Sequence, residues 1–205
     1  MTAPRTAVAL ACLALAAPAS AQEWFAEAEA GGIAFTAKDS VRAVFGREGA
    51  PIFGLGGGYQ SSFGLFFRAG VRRVSPEGER VFVAGPGSPV FGLGHPLRAT
   101  ITPVFGTVGY RFGTGTFRPY YGVGAGVTSY REESTIAGVA ETVDESRFSW
   151  RVVGGVQVLR GPLRFSVEAS YSSAPDLLGR GGVSAVYGET KGGGLSAVAK
   201  VIFVP

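Results

Sequence analysis

Cysteine is almost missing from this 205-residue chain, which has one, Cys12, together with one Met and one His. The lone cysteine lies in a segment that reads as removable. Arg5 supplies a positive start, Ala7 to Ala17 an apolar stretch, and Ala19-Ser20-Ala21 an A-x-A cleavage site before Gln22. Residues 1–21 are therefore expected to be a secretory signal peptide, and 22–205 a single domain without disulfides. Cleavage before Cys12 would instead make a lipoprotein, but Leu10 stands one place off the usual pattern and the apolar region would be very short. With one His and no cysteine after Gln22, the side chains that usually make a zinc site are absent, so neither metal nor cofactor is expected.

Long apolar runs are missing too. No stretch of about 18 apolar residues exists, which excludes a membrane-spanning helix. Charge of one sign is also scarce. Without Arg5 the 19 Lys and Arg become 18, against 15 Asp and Glu, and they are dispersed, so no nucleic-acid partner is expected. What is abundant is Gly, 33 residues, and aromatics, 12%. An exported chain rich in both is ordinary for a barrel in an outer membrane.

The residues 117–134, "FRPYYGVGAGVTSYREES", show how. Phe117, Pro119, Tyr121, Val123, Ala125 and Val127 share one parity; Arg118, Tyr120, Gly122, Gly124, Gly126 and Thr128 share the other. Period-two alternation means a strand, and this one is about twice the usual soluble length. Eight such segments occur: Glu23 to Phe35, Ile52 to Gln60, Phe63 to Val74, Arg98 to Phe112, Phe117 to Arg131, Arg147 to Val158, Leu163 to Tyr171 and Leu195 to Phe203. In the fourth, Ile101, Pro103 and Phe105 compete with Val104, Val108, Tyr110 and Phe112, which predicts a bulge or slip. Short connections (Ser61-Ser62, Gly113 to Thr116, Leu159 to Pro162) alternate with long ones of about 15 to 24 residues. The predicted architecture is all-β: an eight-stranded antiparallel up-and-down transmembrane β-barrel, short turns and termini periplasmic, long loops extracellular.

A soluble lipocalin-like barrel would turn its apolar face inward. Aromatic placement argues against that. Trp24, Tyr59, Phe63, Tyr110, Phe112, Phe117 and Phe203 fall near the short-turn end, and Phe53, Phe148, Trp150 and Tyr171 near the long-loop end, with aliphatic residues between. Two girdles around an aliphatic band match the two interfaces of a bilayer.

"RPYYGVGAGV", Arg118 to Val127, resembles the fifth-strand pattern of small outer-membrane β-barrel proteins, the OmpA/OmpX/OmpW-like superfamily. In strand count and loop rhythm the resemblance covers all of 22–205. Two departures stand out: nothing that could be a peptidoglycan-binding domain is expected after the eighth strand, and Val204-Pro205 overhang the aromatic Phe203.

Chemistry is sparse. Enzymatic barrels of this kind that modify lipopolysaccharide need a His near a Ser, and His95 lies in the expected second long loop. "FGLGGGYQ" and "GGGLSAVAK" lack the Lys-Ser/Thr ending and the following helix of a nucleotide loop. The inward parity collects Glu27, Glu29 and Glu168 against Arg68, Arg72, Arg111, Arg118, Arg151, Arg164 and Lys200. Charges in so narrow a lumen must pair, with Lys200 the expected partner of Glu27. Glu132, Glu133, Glu141, Asp144 and Glu145 make the third loop acidic, and Leu177, Leu178, Val183, Val186 and Tyr187 make the fourth unusually apolar. Arg73 and Arg131 point outward beside the long loops, where lipopolysaccharide phosphates are the expected contact. The expected function is non-enzymatic: a monomeric outer-membrane barrel, structural or interacting through its surface loops. A narrow solute channel and a lipid A-modifying enzyme are the alternatives.

Overall fold

A computed structural model describes residues 22–136 and 139–205; the expected signal peptide lies outside the described residues. The strands are β1 (Glu23–Phe35), β2 (Gly49–Gln60), β3 (Leu65–Arg73), β4 (Glu77–Val83), β5 (Val90–Arg111), β6 (Phe117–Ile136), β7 (Val139–Arg160), β8 (Leu163–Ala174) and β9 (Gly192–Phe203), with helices α1 (Lys38–Phe45) and α2 (Gly182–Val186). Every neighbouring pair is antiparallel. The order β3-β2-β1-β9-β8-β7-β6-β5, with β3 also pairing β5, closes a ring of eight. β4 stands outside it, paired to the upper half of β5.

Alternation decides which side chain faces where. Outward lie Val71, Val104, Val123, Val152, Val167 and Val201, all exposed. Inward lie the charged residues, but also Phe66, Phe105, Val153, Val198 and Ile202. The lumen therefore has an apolar lining as well as the polar one expected. Glycines let adjacent strands coil closely. A Cβ at Gly126 would stand 1.8 Å from the Val104 carbonyl oxygen, and one at Gly58 2.0 Å from that of Phe67. This is why β6 is glycine-rich on its inward face.

Three expectations need correction. No slip occurs between β5 and its partners in the ring: the registers with β3 and β6 are unbroken, and Phe105 simply points inward at 2% exposure. The irregularity lies higher, between Glu79 and Val81 where β4 meets β5. The long second loop is not a loop, since it folds into β4 and the top of β5, carrying His95 into a strand. Much of the third is the upper half of the β6–β7 hairpin, paired continuously up to Ile136 and Val139.

The long-loop end is stoppered. α1 packs down into it, and Phe35, Ala37, Val41, Ala50, Ile52, Val74 and Val198 form a buried cluster, with Leu178 from the loop before α2 against it. Leu177 is 3% exposed, so the apolar fourth loop does fold over the mouth.

Candidate functional site: the lumen and the loop end

The centre of the lumen is the carboxylate of Glu168, fully buried on β8. It accepts hydrogen bonds from Arg68 Nη1 at 2.8 Å, Arg72 Nη2 at 2.9 Å and the Tyr120 hydroxyl at 3.0 Å, and Lys200 Nζ lies 2.9 Å away. Strand parity delivers these groups from β3, β6, β8 and β9, walls on different sides of the ring. Around this hub Arg72 also holds Glu29 in a two-pronged pair, at 2.5 and 3.0 Å. Lys200 lies 3.0 Å from Glu29 and 3.4 Å from Glu27, so Glu27 is one of three carboxylates around it. Arg68 lies 3.5 Å from Glu27.

Other predicted members sit apart from the hub. Arg164 forms a two-pronged pair with Glu23, both contacts 2.7 Å. Arg111 donates to Gln157 at 2.6 Å. Arg151 is 3% exposed, bonds among the described residues to Thr107 Oγ1 alone and lies over the Phe105 ring, 4.7 Å from its centroid. Arg118 does not join the interior network. It lies beside the β5–β6 turn and donates to the carbonyls of Gly115 and Thr114, its nearest acceptors.

Sequence reasoning missed Tyr120, Glu23 and Gln157, along with Ser166, 2.9 Å from the Tyr120 hydroxyl, and Ser170 and Ser196, which accept from Arg72 Nη1 at 3.1 and 3.3 Å. Inward parity in a charged lumen was the available signal for most of them. Tyr120 fits because Gly155 faces it, where a Cβ would be 2.6 Å from its hydroxyl.

The aromatic residues predicted for the two girdles all take the outward side. Trp24 packs edge-on against Tyr59, with ring centroids 5.3 Å apart, and Tyr110 against Phe112 at 5.0 Å. Phe63, Phe117 and Phe203 are exposed at the same end. At the other end Trp150 meets Tyr171 at 5.7 Å, with Phe53 and Phe148 exposed. Phe67, Tyr121 and Phe165 add to the outward aromatics.

Above the ring the loops are tied together. The acidic side chains largely find cations: Glu141 pairs with Arg80 at 2.9 Å, Glu145 with Arg147 at 2.6 Å, and Glu133 with Arg131 at 2.9 Å. Among the described residues no cluster suits a metal ion. Arg42 pairs with Glu48 beside α1 and holds its carboxyl below the ordinary range. A chamber of about 540 Å³ lies among α1, β4, β5 and the segment around α2, walled by Phe45, Leu93, Leu97, Val143 and Leu177 with Tyr130 and Glu132. Arg73 donates to Ser75 at 3.2 Å, and both Arg73 and Arg131 are exposed on the outward side.

No curated protein matches the chain. Among solved structures it is similar to a major outer membrane protein from Thermus thermophilus, 13% identical with a TM-score of 0.59, over 90% of this chain and 100% of that one. It is also similar to Neisserial surface protein A, 16% identical with a TM-score of 0.52, over 87% of this chain and 96% of that one. Likeness at this level of identity establishes a shared fold. The sequence profile of the outer membrane protein beta-barrel domain matches residues 7–184. With an apolar exterior, a charged interior and a closed ring of eight strands, the chain belongs to this family of transmembrane barrels of the outer membrane.

Proposed function

We propose that the protein is a non-enzymatic outer-membrane barrel with a structural, surface-interaction or adhesion role, working through its long-loop end, which faces outside the cell while the termini lie in the periplasm. One observation carries this reading. β5 and β7 are 22 residues long and β6 is 20, about twice the 9 to 11 needed to cross, so their upper halves stand clear of the bilayer. There, Phe82 and Phe91 pair across β4 and β5, each 56% exposed. Apolar side chains raised beyond the lipid suit a partner surface. The channel alternative gains no support from a lumen crossed by the Glu168 ion pairs and stoppered by α1. Lipid partners fit the exterior, with Arg73 and Arg131 as the proposed contacts to lipopolysaccharide phosphate.

The test is attachment of cells expressing the protein to polystyrene, alongside planar-bilayer recordings of the purified barrel. Replacing Phe82 and Phe91 by Ser should reduce attachment several-fold with surface display unchanged, and the recordings should show no sustained conductance. Unchanged attachment, or steady channels, would overturn the reading.

A further inference from the structure

The lower lumen holds more positive charge than its carboxylates balance. Six buried cations, Arg68, Arg72, Arg111, Arg151, Arg164 and Lys200, face four carboxylates, Glu23, Glu27, Glu29 and Glu168. One surplus charge is Arg151, held apart beside Thr107; the other falls at the short-turn end, where Arg68, Arg111 and Arg164 face Glu27 and Glu23. Glu29 and Glu168 lie with Arg72 and Lys200 at mid-height, whereas Arg68, Arg111 and Arg164 all line a cavity of about 40 Å³ at the short-turn end. Glu27, Gln60, Tyr120 and Gln157 make up the rest of its polar wall. Arg68 Nε and Nη2 and Arg164 Nε are buried and have no acceptor among the described residues. The side chain of Arg68 is only 4% exposed and that of Arg164 8%.

Buried guanidinium N–H groups require acceptors, and a surplus of buried cations requires negative charge. Water would meet the first need and leave the second. The cavity has room for about three waters or one compact ion. It is too small for a sugar or a nucleotide, and the donors come from separate strands rather than forming a tetrahedral phosphate cradle. We propose that this chamber is a binding site for a small monovalent inorganic anion of the halide class. The ion accepts from Arg68 and Arg164 and lies within the field of Arg111, whose carboxylate neighbour Glu23 is a distant 3.9 Å away. It acts as a counter-ion that completes the ionic core.

The proposal is tested on the folded barrel in detergent by its unfolding midpoint at fixed ionic strength, in potassium bromide or potassium gluconate. A saturable rise of several degrees in bromide, absent in gluconate, is expected, because a ligand that binds only the folded state raises its stability by mass action. Gln157→Glu places a carboxylate against Arg111 without changing side-chain size, and should abolish the bromide response while the barrel still folds. If that variant fails to fold, crystals grown in bromide decide the matter by an anomalous peak between Arg68 and Arg164. Equal midpoints in the two salts, a full bromide response in folded Gln157→Glu, or only water in the cavity would each overturn the site.

Discussion

Glu189, just beyond α2, caps the first turn of α1: its carboxylate accepts hydrogen bonds from the backbone N–H of Ser40 at 2.8 Å, from the Ser40 hydroxyl at 2.5 Å and from the N–H of Asp39 at 3.2 Å. The N-cap residue of that helix is Ala37, whose side chain caps nothing. An anion at a helix start satisfies free N–H groups and opposes the positive end of the dipole. Glu189→Ala should therefore loosen α1 by about 1 kcal/mol. Faster hydrogen exchange over residues 38–45, with an unchanged barrel melting point, is the expected outcome.

The lumen gives a sharper test. Glu168→Ala would leave Arg68 short of its tightest partner and weaken the hold on Arg72 and Lys200, costing about 3 to 5 kcal/mol. Glu27→Ala should cost less, because Lys200 keeps Glu29 and Glu168, and Arg68 keeps Glu168. Urea unfolding in detergent measures both. A smaller loss for Glu168→Ala than for Glu27→Ala would contradict the arrangement.

Barrel closure depends on two adjacent strands touching backbone to backbone. Gly126→Val should block folding, since even its Cβ meets the Val104 carbonyl at 1.8 Å. Gly106→Ala faces nothing nearer than 3.9 Å and should fold normally. The compact gel band of the unboiled protein reads both, lost for Gly126→Val and kept for Gly106→Ala.

Arg73 and Arg131 lie outward near the upper rim, where a cation costs little compared with about 2 to 4 kcal/mol at the bilayer midplane. Changing both to Gln should lower co-purified lipopolysaccharide and leave the melting point unchanged. Arg131 already holds Glu133, so Arg73→Gln alone should account for most of the loss. Equal retention by the double variant would exclude the contact.

The ring was legible because lipid on one side and a narrow charged lumen on the other impose period two on every strand. β1 ends where alternation ends, at Phe35. The same rule placed Arg68, Arg72, Glu168 and Lys200 inside together, but it could not rank them, because the centrality of Glu168 depends on height in the ring and on Tyr120 leaning over Gly155. Above the membrane the rule lapses. There α1 owes its cap to a residue 149 positions away from Ser40, and β4 exists only because the upper half of β5 offers it an edge. Local pattern carries neither signal.

The seam between β1 and β9 has a kinetic consequence. It joins residues such as Glu27 and Lys200, 173 positions apart, and the ion pairs of Lys200 with Glu27 and Glu29 wait upon it. Until the last strand arrives, the first presents an open edge and its charges lack their partners on β9. Such non-local closure is slow and leaves intermediates prone to aggregate. The barrel must therefore be sheltered while its chain is incomplete, and it locks only when the two ends meet.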